Sequence, residues 1–257
     1  MQRDTYRETA LHVGAREGYC EIVKLLLGAS ADVESTDDDG RTPLSCAAAN
    51  GHLAVVEFLV KEARADVESK DSIYGRTPLS CAAMNGHLEV VEFLVKEAGA
   101  DVESKDNDGK TPLSHAVFWG RLEVVKFLVE EAGANLESKD LSQMTPLSWA
   151  AMNGRLEVAK FLVEEGGADV EVKDKELGRT PLSWAAYYGR LEVVKFLVKE
   201  AGADVESKDR AGRTALDLAR RGIRGEWPWG NGEGREAVAA WLEEQDPKSR
   251  IADPSVT

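Results

Sequence analysis

One short element, Thr followed by Pro or Ala and then Leu, recurs along this 257-residue chain at nearly constant spacing. Successive copies are separated by 33, 35, 34, 34, 35 and 34 residues. A fixed period of this length is the signature of a repeat protein, in which each unit stacks on its neighbours. The seven copies begin at Thr9, Thr42, Thr77, Thr111, Thr145, Thr180 and Thr214.

Each copy opens a unit that predicts two helices and a projecting loop. In the fourth unit, Thr111 suits the cap of a helix, Pro112 its first position and Gly120 its end. The stretch 121–134 is apolar around most of a helical circumference and leaves one polar stripe for water. The Asp, Asn and Gly residues of the stretch 99–109 predict a turn or hairpin. Because so small a helix pair cannot bury its own apolar surface, the units are expected to stack into an all-α solenoid.

Residues 77–106, TPLSCAAMNGHLEVVEFLVKEAGADVESKD, resemble an ankyrin repeat almost throughout, and the resemblance extends from Thr9 to about Arg221. It implies an ankyrin-repeat solenoid of helix-turn-helix units with projecting loops that resemble β-hairpins. The sequences of the repeats also resemble those of the long ankyrin arrays of fungi. In two respects the chain departs from the family. Ser stands where the family usually has His after Thr-Pro-Leu, although His12 keeps it, and this changes how neighbouring loops are hydrogen-bonded. Glu stands where the family's loop has Asn.

The repeats are expected to form one domain, residues 9–245, between a lead (1–8) and a disordered tail (246–257). Charged residues at both ends of the array are typical of capping units, which present a polar outer face. The last unit contains an insertion, residues 223–234, that no other unit has. Its two tryptophans, Trp227 and Trp229, either fold back onto the last unit or form a second contact site.

The copies differ mainly at three positions of the first helix. A helical wheel places His115, Phe118 and Trp119 opposite Leu113, which faces the core. In ankyrin arrays, which this chain resembles, that side of the first helix lines a concave groove where partners bind. Aromatic residues and Met are typical anchors of interfaces. The predicted contact residues are Met84, Asn85, His115, Phe118, Trp119, Trp149, Met152, Asn153, Trp184, Tyr187 and Tyr188.

Some of these residues have a second interpretation. Trp149 and Trp184 also fit a structural role between neighbouring helices. Loop-tip residues that are apolar where other units are charged are Ile73, Tyr74, Leu141 and Met144. This pattern predicts contacts for Tyr74 and Leu141. Loop sequences also drift without function, so this signal is the weaker one.

The net charge of −14 argues against binding to nucleic acid or to anionic lipid. It predicts a protein partner with a basic or mixed surface. Three cysteines, an N-terminus without a signal peptide and no apolar run that could span a membrane predict a reducing compartment. We therefore expect a monomer in the cytoplasm, with the nucleus as an alternative.

Cys46, Cys81 and His115 occupy the same place in three successive units, which could indicate a zinc site or a thiol nucleophile. Stacked helices lie roughly 8–10 Å apart, whereas ligands must lie roughly 2.0–2.3 Å from one zinc ion. We therefore predict no catalytic residue, metal or cofactor, and a non-enzymatic adaptor, scaffold or inhibitor. Two alternatives remain open. One is small-molecule binding or catalysis in the groove around His115, Trp119 and Trp149; the other is a structural or sensor array without a dedicated partner.

Overall fold

The computed structural model describes residues 8–221 and 232–245, and these residues form fourteen α-helices and no strand. The predicted all-α class is thus confirmed. The predicted tail, the insertion up to residue 231 and all but the last residue of the lead lie outside the described residues. The helices are α1 (Ala10–Arg16), α2 (Cys20–Gly28), α3 (Pro43–Ala49), α4 (Leu53–Lys61), α5 (Pro78–Asn85), α6 (Leu88–Lys96), α7 (Pro112–Trp119), α8 (Leu122–Glu130), α9 (Pro146–Asn153), α10 (Leu156–Glu164), α11 (Pro181–Tyr187), α12 (Leu191–Lys199), α13 (Ala215–Arg221) and α14 (Gly232–Gln245).

The helices group into two compact units, the first ending at Leu141 and the second starting at Ser142. Unit 1 contains four helix pairs, in which the first helices α1, α3, α5 and α7 form one row and α2, α4, α6 and α8 another. In unit 2 the first helices α9, α11 and α13 pack in sequence, as do α10, α12 and α14. None of the helices in the described ranges is long and apolar enough to cross a membrane.

Each first helix of unit 1 begins after a threonine that caps it. The Thr111 hydroxyl accepts a hydrogen bond from the backbone N–H of Ser114 at 3.3 Å, and the two hydroxyl oxygens are 3.2 Å apart. In the first repeat, His12 replaces this serine, and its Nε2 lies 3.0 Å from the carbonyl oxygen of Arg41 in the next repeat. The histidine therefore joins two repeats, whereas Ser114 bonds within its own.

The loops between repeats are joined by backbone hydrogen bonds at their tips. The N–H groups of Ser72, Asn107 and Leu141 each donate to a carbonyl oxygen in the preceding loop, at 2.8–2.9 Å. A second bond comes from the glutamates that replace the Asn of the family's loop. Glu68 Oε1, for example, accepts the N–H of Asp101 in the next repeat at 2.7 Å. The loops therefore stack in register with the helices.

The core consists of the apolar residues that recur in every unit. In the fourth repeat, Leu113, Ala116, Val125 and Leu128 have no exposed surface, and Phe127 is 3% exposed. Phe127 is also covered from the preceding repeat, because the Lys96 ammonium lies 4.9 Å from its ring centroid. Burial of these residues therefore depends on the neighbouring repeat.

The first repeat lacks a preceding repeat among the described residues. The side of its second helix that would face such a repeat is therefore exposed to solvent. Leu25, at the position of Phe127, is 73% exposed, and Ile22 is 47% exposed. The charged residues of the lead led us to expect a polar cap at this end. The structure places apolar side chains there instead, because α2 keeps the apolar pattern of an internal repeat.

We expect Phe127→Ala to lower the free energy of unfolding by about 3–5 kcal/mol, because it removes a buried ring and leaves a cavity. Leu25→Ala at the equivalent exposed position is the matched control and should change it by less than about 0.5 kcal/mol. Urea denaturation followed by circular dichroism measures both. Equal losses in the two variants would mean that Leu25 is covered in solution.

Candidate functional site

In unit 1, the side of α7 turned away from the core carries two adjacent aromatic residues. Trp119 is 46% exposed and Phe118 is half-buried, and their ring centroids lie 5.4 Å apart in an edge-to-face arrangement. The Lys110 ammonium lies 5.9 Å from the Phe118 centroid. We call Phe118 and Trp119 the unit 1 aromatic face. The helical wheel placed both residues on the side where the structure has them.

His115, which the wheel placed with them, lies elsewhere. It is 4% exposed, and its Nε2 is 2.9 Å from the Asp106 carboxylate. Asp106 also accepts the backbone N–H groups of Asp108 and Lys110, so it closes the turn of its own loop. Burial raises the pKa of Asp106, but the bonds from His115 and the two N–H groups outweigh it and lower this pKa below its usual value. His115 therefore holds the loop onto the helix, and its Nε2 is already bonded within the protein.

Cys46 and Cys81 occupy the His115 position in two earlier repeats and are 4% and 6% exposed. Burial is the largest cause that raises the pKa of both thiols to about 12. At neutral pH they are protonated, and a nucleophile or a metal ligand would need the thiolate. In the described residues, no group of three or more His, Cys, Asp or Glu side chains is placed to hold a metal ion.

The predicted contacts Asn85 and Asn153 are half-buried and bonded within their own helices. Their amide groups donate to the carbonyl oxygens of Cys81 and Trp149, at 3.0 and 2.9 Å. Met84, Trp149 and Met152 are also half-buried. These residues therefore border the aromatic positions without reaching far into solvent.

In unit 2, α11 ends in a cluster of three aromatic rings. The Trp184 and Tyr188 rings stack at 6.1 Å between centroids, and Tyr187 meets the Tyr188 ring edge-on at 5.1 Å. Tyr188 is 37% exposed, and the other two are half-buried. The Trp184 indole N–H donates to the Asp174 carboxylate at 3.1 Å, which gives Trp184 a structural role as well. We call Trp184, Tyr187 and Tyr188 the unit 2 aromatic face.

Two arginines lie against the Tyr187 ring. The guanidinium carbons of Arg179 and Arg235 are 4.3 and 5.0 Å from its centroid, and Arg179 also lies 4.6 Å from the Trp184 ring. Both arginines are almost fully buried, at 5% and 4% exposure. Burial is the largest cause that lowers the pKa of Arg179, and the nearby Arg213 guanidinium lowers it further.

Several loop tips place apolar side chains in solvent. Ile73 and Tyr74 are 50% and 51% exposed, and Leu141 is 69% exposed. The Arg76 guanidinium carbon lies 4.1 Å from the Tyr74 ring centroid. Met144, which looked like a fourth member of this set, is 5% exposed and belongs to the core.

A cavity of about 490 Å³ lies on the second-helix side of the first two repeats. It is lined by α2 and α4 side chains, including Cys20, Lys24, Phe58 and Lys61. Neither the aromatic faces nor the buried cysteines border it. It therefore lends no support to the alternative of a small-molecule site around His115, Trp119 and Trp149.

This geometry defines a class: a helical-repeat protein that presents variable first-helix side chains from a constant framework. A family model described as ankyrin repeats (3 copies) matches residues 1–71, 63–140, 133–209 and 167–222, so the chain belongs to the ankyrin repeat family. The crystal structure of the human ASB11 ankyrin repeat domain superposes with a TM-score of 0.74 and 26% sequence identity. The match covers 91% of this chain and 97% of that domain.

Curated relatives match over shorter stretches. The mouse protein named ankyrin repeat domain-containing protein 63 is 45% identical over 62 residues, which are 24% of this chain and 16% of that protein. The bovine protein named protein fem-1 homolog A is 43% identical over 67 residues, 26% of this chain and 10% of that protein. The matches therefore span only a small part of each relative and describe shared repeats.

Sequence reasoning missed the two arginines against Tyr187. Arg179 precedes a Thr-Pro-Leu element, as Arg41 and Arg76 do, so its position looked like part of the repeat. Arg235 follows a glycine, as do Arg121 and Arg190, which stand just before the second helices α8 and α12. The available signal was the adjacent pair Tyr187 and Tyr188, which lies on the same helix as Trp184.

We expect only Cys20 to react with iodoacetamide in the folded protein near neutral pH, because it is partly exposed while Cys46 and Cys81 are buried. Peptide mass spectrometry after brief labelling measures this, and labelling in urea, where all three should react, is the control. Rapid native labelling of Cys46 or Cys81 would contradict the burial.

The same thiols predict a pH dependence of stability. Their pKa is raised in the folded state, so their contribution is complete below the unfolded pKa of about 8.5 and is lost as pH rises toward 12. We expect the free energy of unfolding of the wild type to fall between pH 8 and 10 relative to a Cys46→Ala, Cys81→Ala variant. A constant difference over that range would contradict the assignment.

Proposed function

We propose that this chain is a non-enzymatic protein-interaction module whose partner contacts the unit 1 aromatic face, the unit 2 aromatic face, or both. The observation that carries the proposal is the exposure of Trp119 and Tyr188 beside half-buried aromatic neighbours. Protein interfaces are enriched in Trp and Tyr, and a few such residues supply most of the binding energy.

Comparison of equivalent positions shows that the fold does not require these rings. The positions of Phe118 and Trp119 hold Ala49 and Asn50 in the second repeat, on a first helix with the same threonine cap. Replacing small and polar residues by aromatic ones therefore adds surface without adding to the core. A partner that covers the rings explains why they are there.

The loop tips extend the proposed surface. Tyr74 and Leu141 are exposed in loops that backbone hydrogen bonds hold to their neighbours. A surface built on such a framework loses little conformational entropy on binding, which favours affinity. The half-buried residues would then form the edges of the contact within each unit, Met84 in unit 1 and Met152 and Trp149 in unit 2.

The charge of the chain limits the partner. A net charge of −14 favours a basic or mixed protein surface and disfavours nucleic acid and anionic membranes. We further propose a monomer that acts in the cytoplasm or nucleus. An adaptor, a scaffold and an inhibitor would all use this surface, and they differ in whether the activity of the partner falls when it is bound.

We expect Trp119→Ala or Tyr188→Ala to reduce capture of a partner from a native extract at least about tenfold, because such truncations remove about 2 kcal/mol at an interface. Tyr19→Ala is the matched control, since Tyr19 is an aromatic residue 54% exposed on the first repeat. Quantitative mass spectrometry of the captured proteins compares the four chains.

The variants must first be shown to fold, and equal thermal unfolding midpoints would establish this, because each ring is at least one-third exposed. A protein retained by wild type and Tyr19→Ala but lost by either aromatic variant would support the proposal. The same set of proteins on all four chains would contradict it and favour an array without a dedicated partner.

A further inference from the structure

The arginines of the repeat framework normally find partners within the protein. Arg41 and Arg213 each donate from Nε to a buried loop aspartate of the same turn, both at 2.8 Å. Arg121 and Arg190 each donate from Nε to a carbonyl oxygen of the preceding repeat, at 3.1 and 3.0 Å. Such bonds satisfy the guanidinium groups and hold adjoining turns and repeats together.

Arg76, Arg179 and Arg235 depart from this pattern, and of these Arg179 and Arg235 lie against the same ring, that of Tyr187. Arg179 occupies the position of Arg41 in the repeat, but its Nε has no hydrogen-bond partner. The carboxylate of Asp209 is 3.9 Å from that Nε, and it is already bound by Arg213 Nη2 at 2.7 Å. Arg235 is likewise almost fully buried, and its Nε also lacks a partner.

Both guanidinium groups, each with an Nε that lacks a hydrogen-bond partner, converge on the Tyr187 ring within the unit 2 aromatic face. The two aspartates near Arg179 are occupied: Asp209 binds Arg213, and Asp174 accepts the Trp184 indole and two backbone N–H groups. Arg179 and Arg213 therefore share one carboxylate, that of Asp209, although the net charge of the chain is −14.

Buried donors without partners are costly, because a guanidinium that loses water gains nothing in exchange. A planar guanidinium fork matches a carboxylate in geometry and charge. A singly charged carboxylate also meets less repulsion from this acidic chain than a phosphate, which carries about −1.5 to −2 charges at neutral pH. An acidic side chain beside an apolar one would fit the guanidinium groups and the neighbouring rings together.

We propose that Arg179 and Arg235, against Tyr187, form a subsite for an Asp or Glu side chain of the partner. This inference rests on the proposed function and narrows it: the partner surface is mixed, with an acidic residue that enters unit 2 among basic or neutral ones. Tyr188 and Trp184 then contact the residues that flank the acid.

The test uses the full chain and a random peptide library displayed on phage. Enriched peptides are synthesised in pairs that differ only by Glu and Gln, or by Asp and Asn, and their affinities are measured by calorimetry. We expect the acidic member to bind about 10- to 100-fold more tightly, the range for a charge-assisted hydrogen bond. The difference should vanish in Arg179→Gln and in Arg235→Gln.

Arg76→Gln is the matched control, because Arg76 occupies the position of Arg179 and also has an unpartnered Nε, but lies against Tyr74 in unit 1. It should keep the full preference for the acid. Arg179→Lys retains the positive charge but lacks the planar guanidinium group, so it should lose part of the preference for the acidic peptide. This variant replaces Arg179→Gln in the test if Arg179→Gln does not fold.

The outcomes separate the inference from the proposed function. Peptides that need Tyr188 but bind equally as acid and amide would overturn the acidic subsite and leave the interaction module standing. An acid preference that survives both arginine variants, or tighter binding of the matching phosphoserine peptide, would also overturn it. If selection on the wild-type chain enriches no peptide more than selection on Tyr188→Ala does, the unit 2 aromatic face does not bind peptides. That outcome would contradict both the acidic subsite and the proposed use of the unit 2 aromatic face.

Discussion

Burial of each helix pair by its neighbours is the constraint on which the rest of this protein depends. A pair of short helices has more apolar surface than it can cover, so the covering surface comes from the adjacent repeat. Equivalent residues show this directly: Phe127 is 3% exposed inside unit 1, and Leu25 at the same position of the first repeat is 73% exposed. The loops obey the same constraint, since their tips are joined by backbone hydrogen bonds that fix one repeat on the next.

Stacking also explains which residues repeat and which vary. Positions that serve the stack keep the same backbone conformation in unit after unit, and they tolerate strain to do so. Gln143 has a φ of 62° at a loop position where Gly109 and Gly178 have 80° and 65°. This conformation costs a residue with a side chain on the order of 1–2 kcal/mol, yet the loop keeps it. Residues such as Trp119 and Tyr188 do not serve the stack and are free to differ.

The sequence was enough to predict the helices, because their end signals are local. The cap at Thr111 and the stop at Gly120, which has a φ of 73°, bound α7 as expected. The helical wheel also placed Phe118 and Trp119 correctly. It failed for His115, because a wheel treats the helix alone and the Asp106 loop folds over that part of α7. The helical wheel could not identify the arginines whose Nε atoms lack partners, because the hydrogen bonds of an arginine side chain depend on atoms from other repeats.

In the proposed acidic subsite, two arginines whose Nε atoms lack hydrogen-bond partners would link the stability of unit 2 to binding. The framework retains them although burial opposes their charge, and the aromatic rings compensate only in part, by about 0.5–2 kcal/mol for each cation–π contact. A ligand that supplies a carboxylate meets groups that are already desolvated and held in place, so little ordering is needed on binding. Such a ligand also stabilises the folded state, because it binds an arrangement that the unfolded chain lacks. The same local cost that weakens the free protein would therefore make the proposed subsite selective, since a neutral side chain at that place would leave both Nε groups without an acidic partner.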